Sequence, residues 1–264
     1  MELSNFREPA VAGMFYPSDS DTLREQVQGF IEKARPSGQP LLPKAIIAPH
    51  AGYIYSGAIA GSAYQHLLHS GQSIRRVVLL GPSHYASFSG LALSHYQAFR
   101  TPLGDVPVDT SAVQRIQALP QVQFLEAAHE QEHCLEVHLP FLQIALDNFS
   151  IIPLVVGSAT PEAVAEVLDL LWDENTLVVV SSDLSHYLDY TTACTVDART
   201  CGKIEHLDYA HLEPEEACGA RAVAGLLKEA TQRHLSATTL DLRNSGDTAG
   251  DKDRVVGYGA WSFN

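Results

Sequence analysis

Short apolar segments rich in β-branched residues alternate with helical apolar periodicities along this chain. The apolar runs predict strands at residues 45–48, 77–80, 151–156, 177–181, 237–243 and 254–262. Apolar residues spaced three and four apart predict helices at residues 21–34, 56–69, 111–119, 132–148, 161–172 and through much of 190–230. Residues 90–94 and 99–109, interrupted by Gly and Pro, are typical of irregular strands and turns.

Strands that are apolar on both faces and separated by helices favour a sheet covered on both sides. The pattern predicts one α/β domain over residues 1–264, with three α/β/α layers around a central mixed, mostly parallel sheet. No linker, internal repeat or low-complexity segment interrupts it. The first long helix carries Thr22-Leu23-Arg24-Glu25, which fits a capping box at its start.

Charge and composition limit the kinds of partner and the cellular compartment that we expect for the chain. The 264 residues include 17 Lys and Arg against 31 Asp and Glu, a net charge of −14 that argues against a nucleic-acid partner. The start of the chain has no basic segment followed by an apolar run, and no apolar stretch approaches the length of a membrane span. We therefore expect a cytoplasmic protein, no membrane association, and four reduced cysteines.

Histidine is over-represented, with 12 copies in the chain. Three of these histidines follow predicted buried strands. His50, His84 and His186 each lie in a short turn rich in Gly, Pro or Ser. A single histidine in such a turn usually caps a helix or binds a loop carbonyl. Because ligands of open α/β sheets bind at the carboxyl ends of parallel strands, three at the same topological position predict one shared site.

Asp183 lies three residues before His186, a spacing that puts the two side chains together on a helical turn. A neighbouring carboxylate orients a histidine or raises its basicity, as a general base or a metal site requires. The alternative is that Asp183 caps the turn that follows it.

Two further motifs suggest a hydrolase instead. Residues 129–133 (HEQEH) match the zinc-protease pattern HExxH, although no third-ligand motif follows. Cys218-Gly219 opens a predicted helix, whose dipole favours a thiolate, as in a cysteine hydrolase or a soft-metal site. A serine hydrolase is disfavoured because the chain has no GxSxG elbow.

The chain resembles the Memo family, known in prokaryotes as AmmeMemoRadiSam system protein B. The resemblance extends from about residue 7 to 263. Its motifs are residues 7–17 (REPAVAGMFYP), 48–57 (APHAGYIYSG), 80–84 (LGPSH), 132–141 (EHCLEVHLPF), 181–187 (SSDLSHY), 218–219 (CG), 244–248 (NSGDT) and 256–258 (VGY). His129 and Glu130 are not part of the family pattern, which further disfavours the protease.

The resemblance implies the fold of class III extradiol ring-cleavage dioxygenases, in which two His and a Glu hold ferrous iron. Carried over, His50 and His84 match the metal histidines, with Cys218 in place of the Glu. His186 matches the acid/base histidine and His133 a further active-site histidine, while the spacing described above adds Asp183 as the partner of His186. Two imidazoles and a thiolate suit iron, copper or zinc, of which we expect iron or copper. The missing Glu makes ring cleavage doubtful.

Two hypotheses follow. The first is a metal-dependent enzyme, redox-active or not, that acts on an unidentified small molecule. The second is a binding module that uses the same pocket for an anion or peptide without chemistry, as the animal branch of the family is associated with phosphotyrosine peptides. The prokaryotic family name also implies a radical-SAM protein and an AMMECR-type protein as partners in one pathway.

Several residues are expected to have structural roles. Trp172 and Trp261 lie in apolar patterns and are expected in the core. Cys134, Cys194 and Cys201 carry no motif. Five further histidines have no partner pattern and are expected at the surface or bonded locally: His66, His69, His206, His211 and His234. Three tyrosines are expected to line the pocket: Tyr16, Tyr53 and Tyr55.

Overall fold

The structure, a computed structural model, describes residues 5–34, 42–68 and 73–264. His69 lies outside these residues. Within them the chain forms these strands: β1 (Phe6–Arg7), β2 (Ala45–Ala48), β3 (Arg76–Pro82), β4 (Leu91–Leu93), β5 (Ala98–Thr101), β6 (Gly104–Pro107), β7 (Val122–Phe124), β8 (Ser150–Val156), β9 (Thr176–Ser181), β10 (His186–Leu188), β11 (Ala237–Asn244) and β12 (Val255–Phe263).

The helices alternate with the strands along the chain. They are α1 (Ser20–Lys33), α2 (Tyr53–Tyr64), α3 (Thr110–Ile116), α4 (Leu139–Ala145), α5 (Pro161–Leu171), α6 (Tyr190–Glu205) and α7 (Ala220–Gln232). Short 3₁₀ turns lie at Gln65–Leu67, Glu126–Ala128, Glu136–His138, Tyr209–His211 and Ser245–Asp247. None of the helices in the described ranges is long and apolar enough to cross a bilayer.

A mixed sheet runs through the centre of the molecule in the order β10-β12-β2-β9-β3-β8-β4-β7, with β11 also paired to β12. Its middle strands β2, β9, β3 and β8 are mutually parallel. β12 adds to β2 in the antiparallel sense, as β4 does to β8. This arrangement confirms the predicted central sheet, mixed overall and parallel at its middle. A second, small sheet has the order β1-β5-β6.

Helices cover both faces of the central sheet, which confirms the three-layer α/β/α class. Helices α1, α2 and α4 pack on one another, and α3, α5 and α7 form a second group. Strands β2 and β9 are buried along their whole length, as the run of apolar residues predicts. Both Trp172 and Trp261 are buried, as expected.

Three local predictions about helices are wrong. Helix α1 is capped by Asp19, whose side chain accepts the Thr22 N–H, so the capping box at Thr22 does not form. Helix α2 starts at Tyr53, three residues before the predicted start. The helix predicted at 132–148 is confined to α4 and a preceding 3₁₀ turn, because Glu132 turns back and accepts the N–H of Cys134. Strands β1, β7 and β10 were not predicted.

Burial of His138 makes the fold sensitive to acid. Its ring lies in the core, with Nδ1 2.9 Å from the Tyr64 hydroxyl, and burial lowers its pKa to about 3. Between the usual histidine pKa of about 6.5 and this value, the unfolded chain binds a proton that the folded chain does not. The free energy of unfolding must therefore fall as the pH falls through this range.

We predict that His138→Gln reduces this pH dependence. Between about pH 7.5 and pH 5, wild type should lose about 2 kcal/mol more unfolding free energy than the variant. Urea unfolding at the two pH values measures the difference. The control is His95→Gln, which removes an exposed ring and should keep the wild-type dependence. Equal losses in wild type and His138→Gln would contradict the prediction.

Candidate metal and acid/base site

Three side chains lie two residues beyond the carboxyl ends of three adjacent parallel strands. His50 follows β2, His84 follows β3, and Asp183 follows β9, which lies between them in the sheet. The ring centroids of His50 and His84 are 5.2 Å apart. The prediction that histidines at separate strand ends come together is thus confirmed for His50 and His84, whereas the position after β9 that joins them is Asp183 rather than His186.

Hydrogen bonds determine which nitrogen of His50 is free. Its Nδ1 lies 2.6 Å from the Ser181 hydroxyl, and that hydroxyl donates its hydrogen to the Cys134 carbonyl at 2.7 Å. Since the hydroxyl has only one hydrogen, Nδ1 must carry the proton and donate to Ser181. The lone pair of His50 is therefore on Nε2. Burial, reinforced by the charges of His84 and His133, lowers the pKa of His50 well below its usual value.

Glu132 determines the tautomer of His84 in the same way. Its Oε1 is 2.8 Å from His84 Nδ1, and its Oε2 accepts the His84 backbone N–H at 2.7 Å. Burial opposes ionisation, but the hydrogen bond and charge of His84 outweigh it and lower the pKa of Glu132 to about 2. An ionised carboxylate only accepts, so His84 Nδ1 carries a proton, and Nε2 is the unprotonated nitrogen of the neutral ring. Glu132 also raises the pKa of His84 against the effect of burial.

Cys218 lies beside His50, just before helix α7. Its Sγ lies 3.3 Å from His50 Nε2, and it accepts the Asp183 N–H at 3.3 Å. The close approach requires Gly219, because a Cβ there would lie 2.6 Å from the Ser181 carbonyl oxygen. Helix α7 begins directly after this glycine, as predicted. The expected thiolate is not favoured in the protein alone: burial and Asp183 raise the pKa of Cys218.

His133 completes the cluster of imidazoles. Its ring stacks on His84 with centroids 4.7 Å apart, and one ligand nitrogen of each of His50, His84 and His133 lies within 4.8 Å of the others. Its Nδ1 is buried and lacks a hydrogen-bond partner among the described residues. The residue lies in a loop rather than at the predicted helix N-terminus. His84, Glu132 and Cys134 form a second group of this kind, and Cys218 belongs to neither.

One pair of these donors, His50 and Cys218, has the spacing of two ligands of one metal ion. At ordinary bond lengths, a nitrogen and a sulfur ligand of one tetrahedral ion are about 3.5 Å apart, close to the 3.3 Å between His50 and Cys218. In His50 and in His84 a protein group bonds Nδ1, and this is also the usual arrangement around a metal-bound imidazole. The unpartnered Nδ1 of His133 is a further unused donor atom.

Asp183 and His186 differ in burial and do not share a helical turn. Residues 183–185 are irregular, His186 begins β10, and the N-cap of α6 is Asp189, so the predicted helical turn and the predicted cap at Asp183 are wrong. Asp183 is buried and accepts the His50 N–H at 2.8 Å. Burial raises its pKa to about 6 even though the His50 N–H and the neighbouring histidines lower it. His186 is exposed.

A cavity of about 530 Å³ opens beside the cluster, and His133, Asp183 and His186 line it. We call it the aromatic pocket, because its walls carry four aromatic side chains: Phe15, Tyr55, Tyr187 and Tyr258. Tyr55 thus lines the pocket as expected. Tyr16 and Tyr53 are buried instead, with their hydroxyls donating to Glu136 and to the Val137 carbonyl. Cys218 lines a separate cavity of about 290 Å³.

Four residues of the site were not assigned from the sequence: Arg7, Glu132, Glu136 and Ser181. Arg7 and Glu136 form a buried ion pair. Glu136 also accepts the backbone N–H groups of Ala10 and Val11. The shared signal of these four residues is their place inside the family motifs, since no spacing rule singles them out.

The HExxH match is not a zinc site. His129 is buried, its Nε2 bonds the Ala92 carbonyl, and burial lowers its pKa to about 4. His129 ends a 3₁₀ turn while His133 lies in the following loop, so they do not share a helix face. The metalloprotease prediction is thereby contradicted.

Comparison with known proteins gives matches along the whole described chain. The family model described as Memo-like protein matches residues 7–262. A MEMO1 family protein of Metallosphaera sedula is 37% identical over 279 residues, covering 97% of this chain and 99% of its own. One from Aquifex aeolicus is 36% identical over 267 residues, covering 96% and 97%. A solved structure of an uncharacterized Escherichia coli K12 protein has a TM-score of 0.49 at 13% identity, covering 83% and 99%.

We predict that Glu136→Gln destabilises the fold strongly. It leaves the Arg7 charge buried without a counter-ion and removes an acceptor, at a cost of roughly 3–5 kcal/mol. Urea unfolding measures this cost. Because the two residues act as a pair, Arg7→Met combined with Glu136→Gln should cost less than the sum of the single changes. If the losses of unfolding free energy in the two single variants add up in the double variant, the Arg7–Glu136 ion pair is not the interaction that stabilises the fold here.

We further predict that metal-free protein holds His50 and His84 as Nδ1–H tautomers. Long-range ¹H–¹⁵N NMR correlations of the imidazole rings detect this directly. Glu132→Gln should disturb the tautomer of His84 alone, and Ser181→Ala that of His50 alone. An Nε2–H tautomer of either ring in wild-type protein would refute the assignment.

Proposed function

The chain belongs to the Memo family, and we propose that it is a metal-dependent enzyme acting on a small molecule. His50, His84 and Cys218 hold one metal ion, preferably iron or copper and alternatively zinc. Asp183, His186 and His133 serve the chemistry on the side of the aromatic pocket. Ring cleavage of a catechol is not part of the proposal, because a cysteine stands where the extradiol enzymes have their glutamate.

One observation carries the proposal. Two imidazoles with ring centroids 5.2 Å apart each have Nδ1 bonded to the protein, and a cysteine sulfur lies 3.3 Å from the Nε2 of His50. Structural histidines usually use both nitrogens locally, whereas here each Nδ1 is bonded to the protein and the Nε2 of His50 meets a cysteine sulfur, itself a metal-ligand atom. Two imidazoles and a thiolate are a ligand set that iron, copper and zinc accept.

The side chains around the proposed metal site have different roles in the reaction. A metal held here would supply Lewis-acid or redox chemistry. His186, at the exposed wall of the aromatic pocket, gives or takes a proton at an imidazole nitrogen. Asp183 accepts the backbone N–H of His50 and so fixes the turn after β2, while its other oxygen lies 3.9 Å from His50 Nε2. His133 and Phe15 limit the access of water on that side.

The second candidate is a binding module that uses the aromatic pocket without chemistry. It is favoured by the exposed apolar side chains at the mouth, where Met14, Ile54 and Tyr187 are each more than 60% exposed. Such concentrations mark ligand or partner sites. The two candidates differ in whether the pocket needs a metal to function.

Metal analysis of protein purified without added metal tests the first candidate. We expect about one equivalent of iron, copper or zinc per chain, lost in both His50→Ala and Cys218→Ala because each removes a ligand. Glu132→Gln should weaken metal affinity by roughly 10- to 100-fold. The control is His95→Ala, a histidine bonded to Glu126 away from the cluster, which should keep the metal. Metal retained in both ligand variants would sink the assigned site and leave the binding module.

A further inference from the structure

The outer end of the aromatic pocket carries a cation that the proposed chemistry does not use. Arg254 is the only Lys or Arg among the described residues that line the pocket. Its guanidinium lies 5.1 Å from the centre of the Tyr187 ring, and none of the described residues forms an ion pair with it. The charge of Arg254 is therefore available to a ligand.

The sheet register determines how far this cation lies from the acid/base groups. His186 of β10 pairs with Val256 of β12, and Arg254 comes two residues before Val256. Arg254 lies in a bend just before β12, and two residues span at most about 7 Å between Cα atoms. A small ligand that reaches His186 with one end can therefore reach Arg254 with the other. The pocket volume of about 530 Å³ is also in the range of small-molecule sites, about 300–1,000 Å³.

Tyr187, whose ring lies beside Arg254, has a strained backbone conformation and an exposed side chain. Its φ is +61°, in the left-handed region that bulky residues rarely adopt, and its side chain is 63% exposed. Such conformations persist where the surroundings enforce them and cluster at functional sites. Here the conformation places an aromatic ring beside the guanidinium, where the ring can cover the apolar part of a ligand whose charge binds Arg254.

The acidic residues of the pocket select the charge of that ligand. Asp251 accepts the N–H groups of Asp253 and Arg254, and Asp183 accepts that of His50. Their carboxylates are thus engaged by the protein, but both line the pocket and would repel a dianion more strongly than a monoanion. Salt screens the net charge of −14 over longer distances. At the outer end of the pocket, Arg254 therefore favours an anionic ligand, and the two carboxylates favour a single negative charge on it over two.

We propose that the aromatic pocket binds a small carboxylic acid with an apolar body. Arg254 pairs with the carboxylate, Tyr187 covers the apolar part, and the far end of the ligand faces His186 and Asp183. This inference rests on the proposed function for the identity of the pocket as the substrate site, and it adds the class of substrate.

Binding of matched probes tests the proposal independently of whether the protein holds a metal. The probe is 3-phenylpropionate, compared with its neutral amide and with phenyl phosphate, titrated by NMR into protein as purified and after chelation. The acid should bind roughly tenfold more tightly than the amide, since a guanidinium–carboxylate pair is charge-assisted and bidentate. Phenyl phosphate should bind more weakly than the acid.

Substitutions assign the preference to Arg254. Arg254→Gln should abolish the difference between acid and amide, and Arg254→Lys should keep part of it, because lysine retains the charge but not the bidentate geometry. Tyr187→Leu should weaken both probes. The control is Arg199→Gln, an exposed arginine of α6 outside the pocket, which should change nothing.

The outcomes separate this proposal from the proposed function. Equal binding of acid and amide, an unaltered affinity in Arg254→Gln, or tighter binding of phenyl phosphate would each overturn it. Loss of metal in His50→Ala bears on the metal site alone, and an Arg254 effect that persists in the chelated protein supports the carboxylate subsite whether or not a metal is ever held.

Discussion

One buried carboxylate, that of Glu136, holds together the parts of the molecule that form the site. It pairs with Arg7 and accepts the backbone N–H of Ala10 and Val11 and the hydroxyl of Tyr16. An ionised group in the core is tolerated only when its oxygens are satisfied in this way. The N-terminal segment is thereby fixed against the loop before α4, and Phe15 is brought onto His133.

That loop in turn positions both proposed metal histidines. Glu132 holds the ring of His84, and the Cys134 carbonyl accepts from Ser181, which holds the ring of His50. A Cβ at Gly81 would lie 2.5 Å from Cys134 Sγ, so the loop lies directly on the end of β3. The free Nε2 atoms therefore depend on one loop, and that loop depends on the Arg7–Glu136 pair.

The order of the strands explains why the strand-end prediction succeeded for His50 and His84 and needed revision for His186. Because β2, β9 and β3 are adjacent and parallel, residues two positions beyond their ends converge. His186 lies further along, on an antiparallel edge strand, and enters the pocket from the side. The periodicity of 132–148 was misleading because the apolar stripe continues into α4 while the polar residues before it bind other segments.

The sequence by itself determined the class of the fold and the strand ends that carry histidine, since burial and turn chemistry are local and leave periodic patterns. It also carried the family motifs that point to Cys218. Only the tertiary structure decided the tautomers, the roles of Arg7, Glu132, Glu136 and Ser181, and the meeting of Tyr187 with Arg254. These depend on hydrogen bonds and contacts between segments far apart in the chain, and such pairings have no period that a linear pattern can show.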